Sequence, residues 1–342
     1  MKGLLAAAAI ELVLVGGLAG QTGHPGPDSA RVETYLNALR STDPMLCEMI
    51  VDQVGNFWNT SGEYRLGLLA DASRNWERAR DSLYGRTTQP AALRRLARGL
   101  DDPNPCVRRG AARLLGQSGP AGFGAIREGL RSSSERVREA AALAAGQEEE
   151  SVPLANDLVR ATNDPSVAVV AMATWALGEL QRSEHAGRLA ELARHGDARV
   201  RRAAAHGLGE LELPARVVPA LLPLLGDEDA GVRYFAARGL GDQEDARAAP
   251  ALARALSDRE PRVRRVAAEA LSDLEYSEQV DLAVIEALGR ALSDADPEVR
   301  SAVVHALGHI EDPRATPHLL RALRDSHPEV RKLAAEALGD RR

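Results

Sequence analysis

The sequence predicts an all-α solenoid, a superhelical array of about ten two-helix repeats. One reason is composition. Apolar residues make up 44% of the 342 residues, but most are Ala and Leu, with only 3 Trp, 5 Tyr and 3 Phe. Ala and Leu are strong helix formers, whereas sheets and large globular cores normally use more aromatic and β-branched residues. The other reason is a motif that recurs about every 31 residues along the chain.

The first 20 residues have the pattern of a secretory signal peptide. Lys2 precedes an apolar run that ends in small residues near Ala19 and Gly20, and this order is typical of such peptides. Glu11 interrupts the run, so an uncleaved membrane anchor and a cytosolic helix remain alternatives. Residues 21–30 are rich in Pro and Gly and are expected to form a linker. The expected location is therefore periplasmic or extracellular, with membrane proximity if the segment is not cleaved.

The repeat is clearest near the C-terminus, around Val299 and Val330. With each Val taken as position 0, Arg follows at +1, a small apolar residue at +4, Leu at +8 and Gly at +9. Ten units fit this frame, 30 to 32 residues apart except for one step of 36. Their zero positions are Leu46, Trp76, Val107, Val137, Val169, Val200, Val232, Val263, Val299 and Val330.

Each unit has room for two short helices. Proline near the start of the first helix suits a position whose N–H has no partner. Positions 0, +3, +4, +7 and +8 form one apolar face of the second helix. Gly at +9 is expected to end this helix in a left-handed cap. Aspartates at position −5 are expected to cap its start. They are Asp71, Asp102, Asp164, Asp227, Asp258, Asp294 and Asp325.

This pattern resembles HEAT repeats, in particular the short repeats of about 30 residues named after phycobilisome lyases. The resemblance covers roughly residues 31–342. It implies that the +1 arginine and the turn aspartate of neighbouring units form a ladder. The matching arginines are Arg108, Arg138, Arg201, Arg233, Arg264, Arg300 and Arg331. Cys47, Glu77 and Val170 replace Arg in units one, two and five, so the ladder should be absent from the first two units and interrupted at unit five.

The repeats are expected to divide into residues 31–90, two degenerate capping units rich in aromatics, and residues 91–342, the regular array. Cys47 and Cys106 fall in units one and three. Helices stack about 8–10 Å apart, so these cysteines should be about 20 Å apart. We therefore expect two free, largely buried thiols unless the N-terminal units fold back.

No cofactor, metal or catalytic set is predicted. His305 and His309 share one helical face, and two His at this spacing can bind zinc. However, the chain lacks the His-Glu dipeptides that HEAT-repeat hydroxylases carry, so surface histidines are the expected interpretation. A net charge of −6 and a pI near 5.8 argue against nucleic-acid binding.

The second helices of HEAT-like arrays line the concave face, and positions +2 and +6 lie outside the apolar stripe. Between units five and eight these positions are rich in aromatic and cationic residues, the types that most often anchor interfaces. The candidate binding residues are Trp175, Arg202, His206, Tyr234, Arg238 and Arg265. Positions that are merely solvated are the alternative.

The leading hypothesis is a non-enzymatic, exported scaffold that binds a protein or peptide on the concave face, with its oligomeric state left open. Two alternatives stand beside it. The resemblance implies a lyase-like enzyme acting on a protein-bound chromophore, and, less favoured, a nucleic-acid-binding protein like the HEAT-like repair glycosylases.

Overall fold

The structure, a computed structural model, describes residues 28–40, 86–147, 149–274 and 280–339. These residues form 17 α-helices and short 3-10 turns, and they contain no strand. This confirms the predicted all-α solenoid. The signal-peptide segment, most of the linker, and Leu46 and Trp76 of units one and two lie outside the described residues.

Helix α1, Ser29–Arg40, begins inside the segment predicted as linker. Eight helical pairs follow and correspond to units three to ten. The first helices are α2 (Pro90–Gly99), α4 (Phe123–Gly129), α6 (Ala155–Ala161), α8 (Ala186–Leu192), α10 (Pro214–Leu221), α12 (Ala249–Ala255), α14 (Leu282–Ala291) and α16 (Thr316–Ala322). The second helices are α3 (Pro105–Gln117), α5 (Glu135–Ala145), α7 (Val167–Glu179), α9 (Ala198–Gly209), α11 (Ala230–Gly241), α13 (Pro261–Asp273), α15 (Pro297–His309) and α17 (Pro328–Gly339).

Each second helix packs against its own first helix, and the second helices from α3 to α17 contact one another in order. The apolar face is wider than the sequence pattern suggests, because position +5 also faces the next unit. This residue has no exposed surface in seven successive units: Ala112, Ala142, Thr174, Ala205, Ala237, Ala268 and Val304. Small residues suffice here because the helix axes lie close together.

The expected left-handed glycine cap at +9 is wrong. Among the described glycines only Gly119 has a positive φ, and Gly178, Gly209 and Gly241 lie within helices or at their last residue. Two non-glycine residues at position +12, Gln181 and Glu244, adopt the left-handed conformation. The +9 glycines instead allow close approach, since a Cβ on Gly241 would lie 2.8 Å from the Ala270 Cα.

The turn aspartates do not cap the second helix directly. The capping residue is at position −3. In α11, for example, the Asp229 side chain accepts a hydrogen bond from the Val232 N–H at 2.9 Å. The −5 aspartate closes the turn before it, as where Asp227 accepts from the Asp229 N–H at 2.9 Å. This turn holds the carboxylate so that its free edge faces the preceding unit.

The resulting ladder follows the implied pattern. Arg233 Nε and Nη2 donate to both carboxylate oxygens of Asp258 at 2.7 and 2.8 Å, while Nη1 donates to the carbonyls of Asp227 and Glu228. The same bidentate arrangement joins four further pairs: Arg138–Asp164, Arg201–Asp227, Arg264–Asp294 and Arg300–Asp325. The expected interruption at Val170 is confirmed, whereas Cys47 and Glu77 lie outside the described residues. A second interruption was missed, because Ser132 replaces the aspartate that Arg108 would meet.

Helix α1 takes the place of a preceding repeat. It packs against α2 and α3, and Arg40 donates to Asp102 at 2.7 Å, as a ladder arginine would. A Cβ on Gly110 would lie 3.0 Å from the Tyr35 hydroxyl, so the two helices are in close contact. The N-terminal helix therefore lies directly beside unit three.

This placement explains why the expectation of free thiols is wrong. Cys106 is disulfide-bonded. The sequence contains one other cysteine, Cys47, which lies outside the described residues. The spacing estimate assumed that regular units separate the cysteines, and the direct contact between α1 and α3 removes that assumption.

The native chain is therefore expected to show no thiol that reacts with a maleimide, even when unfolded in denaturant. A non-reducing peptide map should contain one cross-linked species joining the peptides around Cys47 and Cys106, because the chain has 2 Cys. Treatment with reductant before labelling is the control and should expose both thiols. Two labelled cysteines without reductant would contradict the disulfide.

A buried histidine lies between units five and six. His185 is 8% exposed, and its Nε2 has no hydrogen-bond partner in the described structure. Burial lowers the pKa of His185, Glu184 opposes this shift, and Arg182 adds to it. Because the folded state disfavours the charged imidazole, this residue makes stability fall as pH drops below about 6.5 towards its folded pKa.

Substituting His185→Leu should raise the free energy of unfolding by about 1–2 kcal/mol at pH 7, because it removes an unsatisfied buried polar group. The increase in free energy of unfolding should be larger at pH 5, because His185 of the native chain is then protonated in the unfolded state and must lose that proton on folding. Denaturant unfolding at both pH values measures the difference. An exposed histidine variant, His309→Leu, serves as the control, and an equal gain there would contradict the burial argument.

Candidate binding surface on the second helices

The candidate residues lie on three adjacent second helices, α7, α9 and α11, with Arg265 on α13. Their side chains are neighbours because the second helices contact one another in order. We call the surface formed by positions +2, +6 and +10 of α9, α11 and α13 the charged face.

Arg238 and Tyr234, at the centre of the charged face, differ in solvent exposure. Arg238 is 47% exposed, and its contacts are long, at 3.8 Å to Glu210 and 3.7 Å to Asp242. Tyr234 is half-buried because its ring packs edge-on against Phe235, with centroids 5.2 Å apart. A rigid ring beside a guanidinium that is only weakly paired is a suitable anchor for a protein partner.

His206 connects units five, six and seven. Its Nε2 lies 2.8 Å from Glu179, its Nδ1 lies 3.5 Å from Glu210, and its ring meets Phe235 edge-on at 5.5 Å. Since Glu210 also lies 3.8 Å from Arg238, a row of polar and ionisable side chains runs from α7 to α11. The two carboxylates near Arg238, those of Glu210 and Asp242, lie 3.8 and 3.7 Å away and do not form short ion pairs with its guanidinium.

Two arginines are held by carboxylates of the protein itself. Arg202 donates to both oxygens of Asp229 at 3.0 and 3.1 Å, and its guanidinium lies over Gly231. Arg265 lies 3.4 Å from Glu269 in the same helix and remains 41% exposed. Arg202 therefore has a structural role at the joint between α9 and α11, while Arg265 stays available at the edge of the charged face.

Trp175 differs from the sequence expectation. Its side chain is 7% exposed, so position +6 of α7 is not an open surface. The ring packs over the end of the preceding unit, since a Cβ on Gly146 would lie 2.8 Å from the Trp175 Cζ3. Helix α7 is apolar on nearly every side, with Ala171 and Met172 buried as well. The exposure expected for Trp175 is corrected accordingly.

The sequence reasoning missed an acidic row at position +10. Glu179, Glu210, Asp242 and Asp273 occupy this position in four successive units. Positions +6 and +10 lie four residues apart and so share a helix face. This acidic signal is present in the sequence, one position beyond the +9 glycine at which the repeat motif ends.

The acids of the charged face have pKa values that are unusual for surface residues. Burial raises the pKa of Asp242, Arg238 opposes this, and Glu210 and Asp273 add to it. Burial likewise raises the pKa of Glu269 against the effect of Arg265, with a further contribution from Asp273. These acids lie close enough to repel one another, so this side of the charged face carries an excess of negative charge.

His305 and His309 lie beyond the acidic row, with ring centroids 4.3 Å apart. Partial burial lowers the pKa of His305, His309 lowers it further, and Asp273 opposes them. Within the described ranges, no three His, Cys, Asp or Glu side chains form a group that could hold a metal ion. None of the helices in the same ranges has the length and apolar content that crossing a bilayer requires.

The comparisons with known proteins agree with this architecture. The family model for HEAT repeats matches residues 155–230, 218–284 and 279–339, more than half of the chain. The protein is thus a helical-repeat protein, and it belongs to the HEAT-repeat family. No curated protein sequence matches the chain.

Two solved structures with TM-scores above 0.5 show the same fold. YibA of Escherichia coli is 24% identical, with a TM-score of 0.56 over 71% of this chain and 91% of its own. An engineered protein is 20% identical, with a TM-score of 0.52 over 91% of this chain and 88% of its own. The complex of CpcE and CpcF of phycocyanin lyase from Nostoc is also similar, at 23% identity and a TM-score of 0.38 over 46% of this chain and 99% of its own.

Proposed function

We propose that this protein is a non-enzymatic scaffold whose charged face binds a protein or peptide. The observation that carries the proposal is the group formed by Tyr234, Arg238 and the acidic row on adjoining helices. Arg238 is weakly paired, and the Tyr234 ring packs edge-on against Phe235. Such groups bind an extended partner that carries charges of both signs. HEAT arrays in general serve protein interactions, and the fold of this protein supports a binding role for that reason.

The test uses the full chain, expressed in its native host, with a photo-reactive residue at position 234. Covalent adducts should form there and decrease strongly when Arg238→Glu is added. A photo-reactive residue at Leu282, which is exposed on α14 away from the charged face, is the matched control. Equal adduct patterns at both positions would refute the assignment. A stoichiometric metal or chromophore on the native protein would refute its non-enzymatic part.

We also propose export from the cytoplasm. The N-terminal 20 residues support this, and so does the disulfide at Cys106, because disulfides persist mainly in oxidising compartments. The mass of the protein isolated from its source should correspond to cleavage after Ala19 or Gly20. A full-length mass together with a cytosolic fraction would overturn this proposal.

A further inference from the structure

The +1 arginines of the ladder hold their guanidinium groups in one orientation. In Arg233, Nη1 donates to two carbonyls of its own turn, and the opposite edge, formed by Nε and Nη2, faces the next unit. Because the guanidinium is planar and rigid, fixing Nη1 also fixes the direction of that edge. At five joints the edge meets the −5 aspartate of the next unit, as where Arg138 donates to Asp164 at 2.7 and 3.0 Å. The contacts of Nη1 therefore indicate where the acidic partner of such an arginine lies.

Arg108 has the same orientation, but the residue opposite it is a serine. Its Nη1 donates to the carbonyls of Asp102 and Pro103 at 2.8 and 3.0 Å, which directs Nε and Nη2 towards unit four. Position −5 of that unit is Ser132. In the described part of the chain, no carboxylate forms an ion pair or a hydrogen bond with Arg108. The ladder arginine is thus in place between units three and four without its acid.

Ser132 keeps the turn of the aspartate that it replaces. Its Oγ accepts a hydrogen bond from the Ser134 N–H at 3.2 Å, as Asp227 accepts from the Asp229 N–H at 2.9 Å. The serine Oγ is the counterpart of the aspartate Cγ, so the side chain is shorter by the two carboxylate oxygens. Since Oγ already accepts from a backbone N–H, its own O–H is available as a donor. Three donors therefore face this joint: Nε and Nη2 of Arg108 and the Ser132 hydroxyl.

The charge of Arg108 is not balanced by the carboxylates of its own turn, because each of them has another arginine. Asp102 accepts from Arg40 Nη2 at 2.7 Å, and Asp101 lies 3.6 Å from Arg136. Arg108 is half-buried, so water and salt screen its charge less than at an open surface. Hydrogen bonds from a guanidinium to an anion are short and strong. The joint between units three and four therefore has the chemistry of an anion site.

We propose that this joint binds a single chloride-sized anion where a ladder carboxylate stands at the other joints. The anion accepts hydrogen bonds from Nε and Nη2 of Arg108 and from the Ser132 hydroxyl, and its charge balances that of the guanidinium. A monatomic halide matches the space of two oxygen atoms, whereas a carboxylate or phosphate brings further atoms that the Ser132 side chain would meet. The bound anion joins unit three to unit four as the aspartates join the other units.

The first test measures amide exchange in α3 and α5 in chloride and in gluconate at equal ionic strength, since gluconate is too large for the site. A chloride dissociation constant of about 50 mM would slow exchange through opening of this joint about tenfold in about 0.5 M chloride. Ser132→Asp supplies the carboxylate itself, so exchange should be slow in both salts. Arg108→Gln removes the guanidinium donors, so exchange should be fast in both salts. The neighbouring Arg109→Ala is the matched control and should keep the tenfold difference.

The second test locates the anion in crystals of the protein soaked in bromide. An anomalous peak should lie within hydrogen-bonding distance of Arg108 Nε and Nη2, and it should be absent from Ser132→Asp. A chloride effect that is equal in the native chain and in Ser132→Asp, or one that disappears in Arg109→Ala, would overturn the proposal. A bromide peak without a chloride effect on exchange would mean binding at crystal concentration only, and it would overturn the proposal as well.

Discussion

Replacing Arg233 with alanine is expected to lower the free energy of unfolding by about 3–5 kcal/mol. Arg233 is 4% exposed and donates to both oxygens of Asp258 and to the carbonyls of Asp227 and Glu228. Its loss leaves a largely buried carboxylate and two turn carbonyls without their donors. Urea unfolding measures the change.

The matched control is Arg247→Ala. Arg247 is 60% exposed and pairs with Asp245 in its own turn, so its loss should change stability far less than the loss of Arg233. Equal effects of the two substitutions would show that the ladder contributes no more than a surface ion pair.

The ion pair between Arg233 and Asp258 also makes the free energy of unfolding depend on pH. Burial alone would raise the pKa of Asp258, but hydrogen bonds from Arg233 and from the Glu260 N–H, together with the Arg233 charge, outweigh it and lower the pKa. A lowered folded pKa gives stability that is present above the unfolded value near 3.9 and is lost as pH falls through the folded value. The difference in free energy of unfolding between the native chain and Arg233→Ala should therefore be largest at pH 7 and should decrease below about pH 4.

Replacing Gly178 with alanine is expected to cost about 3 kcal/mol or more, at the upper end of overpacking effects. The added methyl group would lie well inside van der Waals contact distance of the Gly207 Cα, and a Cβ on Gly207 would lie 2.8 Å from the Gly178 Cα. Because the obstacle is backbone, no rotamer change relieves it. Helices α7 and α9 must separate, and since each repeat contacts only its neighbours, unfolding should lose cooperativity at this joint.

Gly187→Ala is the control for this substitution. Gly187 lies in α8, and a Cβ there would meet nothing within 4 Å. Alanine should therefore stabilise the helix by up to about 1 kcal/mol. The melting temperatures of both variants measure the difference. A Gly178→Ala variant as stable as the native chain would contradict the close contact between α7 and α9.

The repeat frame in the sequence predicts the fold well because a solenoid is built from local pairs of helices. The zero positions, the apolar stripe and the arginine at +1 are periodic, and the packing they specify involves only adjacent units. The interruption at Val170 could be read directly from one residue. The acidic row at +10 was also readable, since Glu210 and Asp242 stand one helical turn beyond His206 and Arg238.

Other features depend on distances between atoms of different units. Trp175 has the spacing of a surface residue, but the end of the preceding helix at Gly146 lies close enough to bury it. Arg202 and Arg238 both occupy the charged face, and only the position of Asp229 shows that Arg202 is already engaged. Exposure and pairing of this kind follow from how closely the helices approach, which periodicity does not specify.

Periodicity in the chain was thus enough to define the helices, their pairing and the ladder, because each depends on contacts about one repeat apart. Tertiary structure decided the placement of α1 beside α3, the disulfide at Cys106 and the role of the +9 glycines. These depend on contacts between backbone surfaces and on segments distant in sequence, and a local pattern carries no information about either.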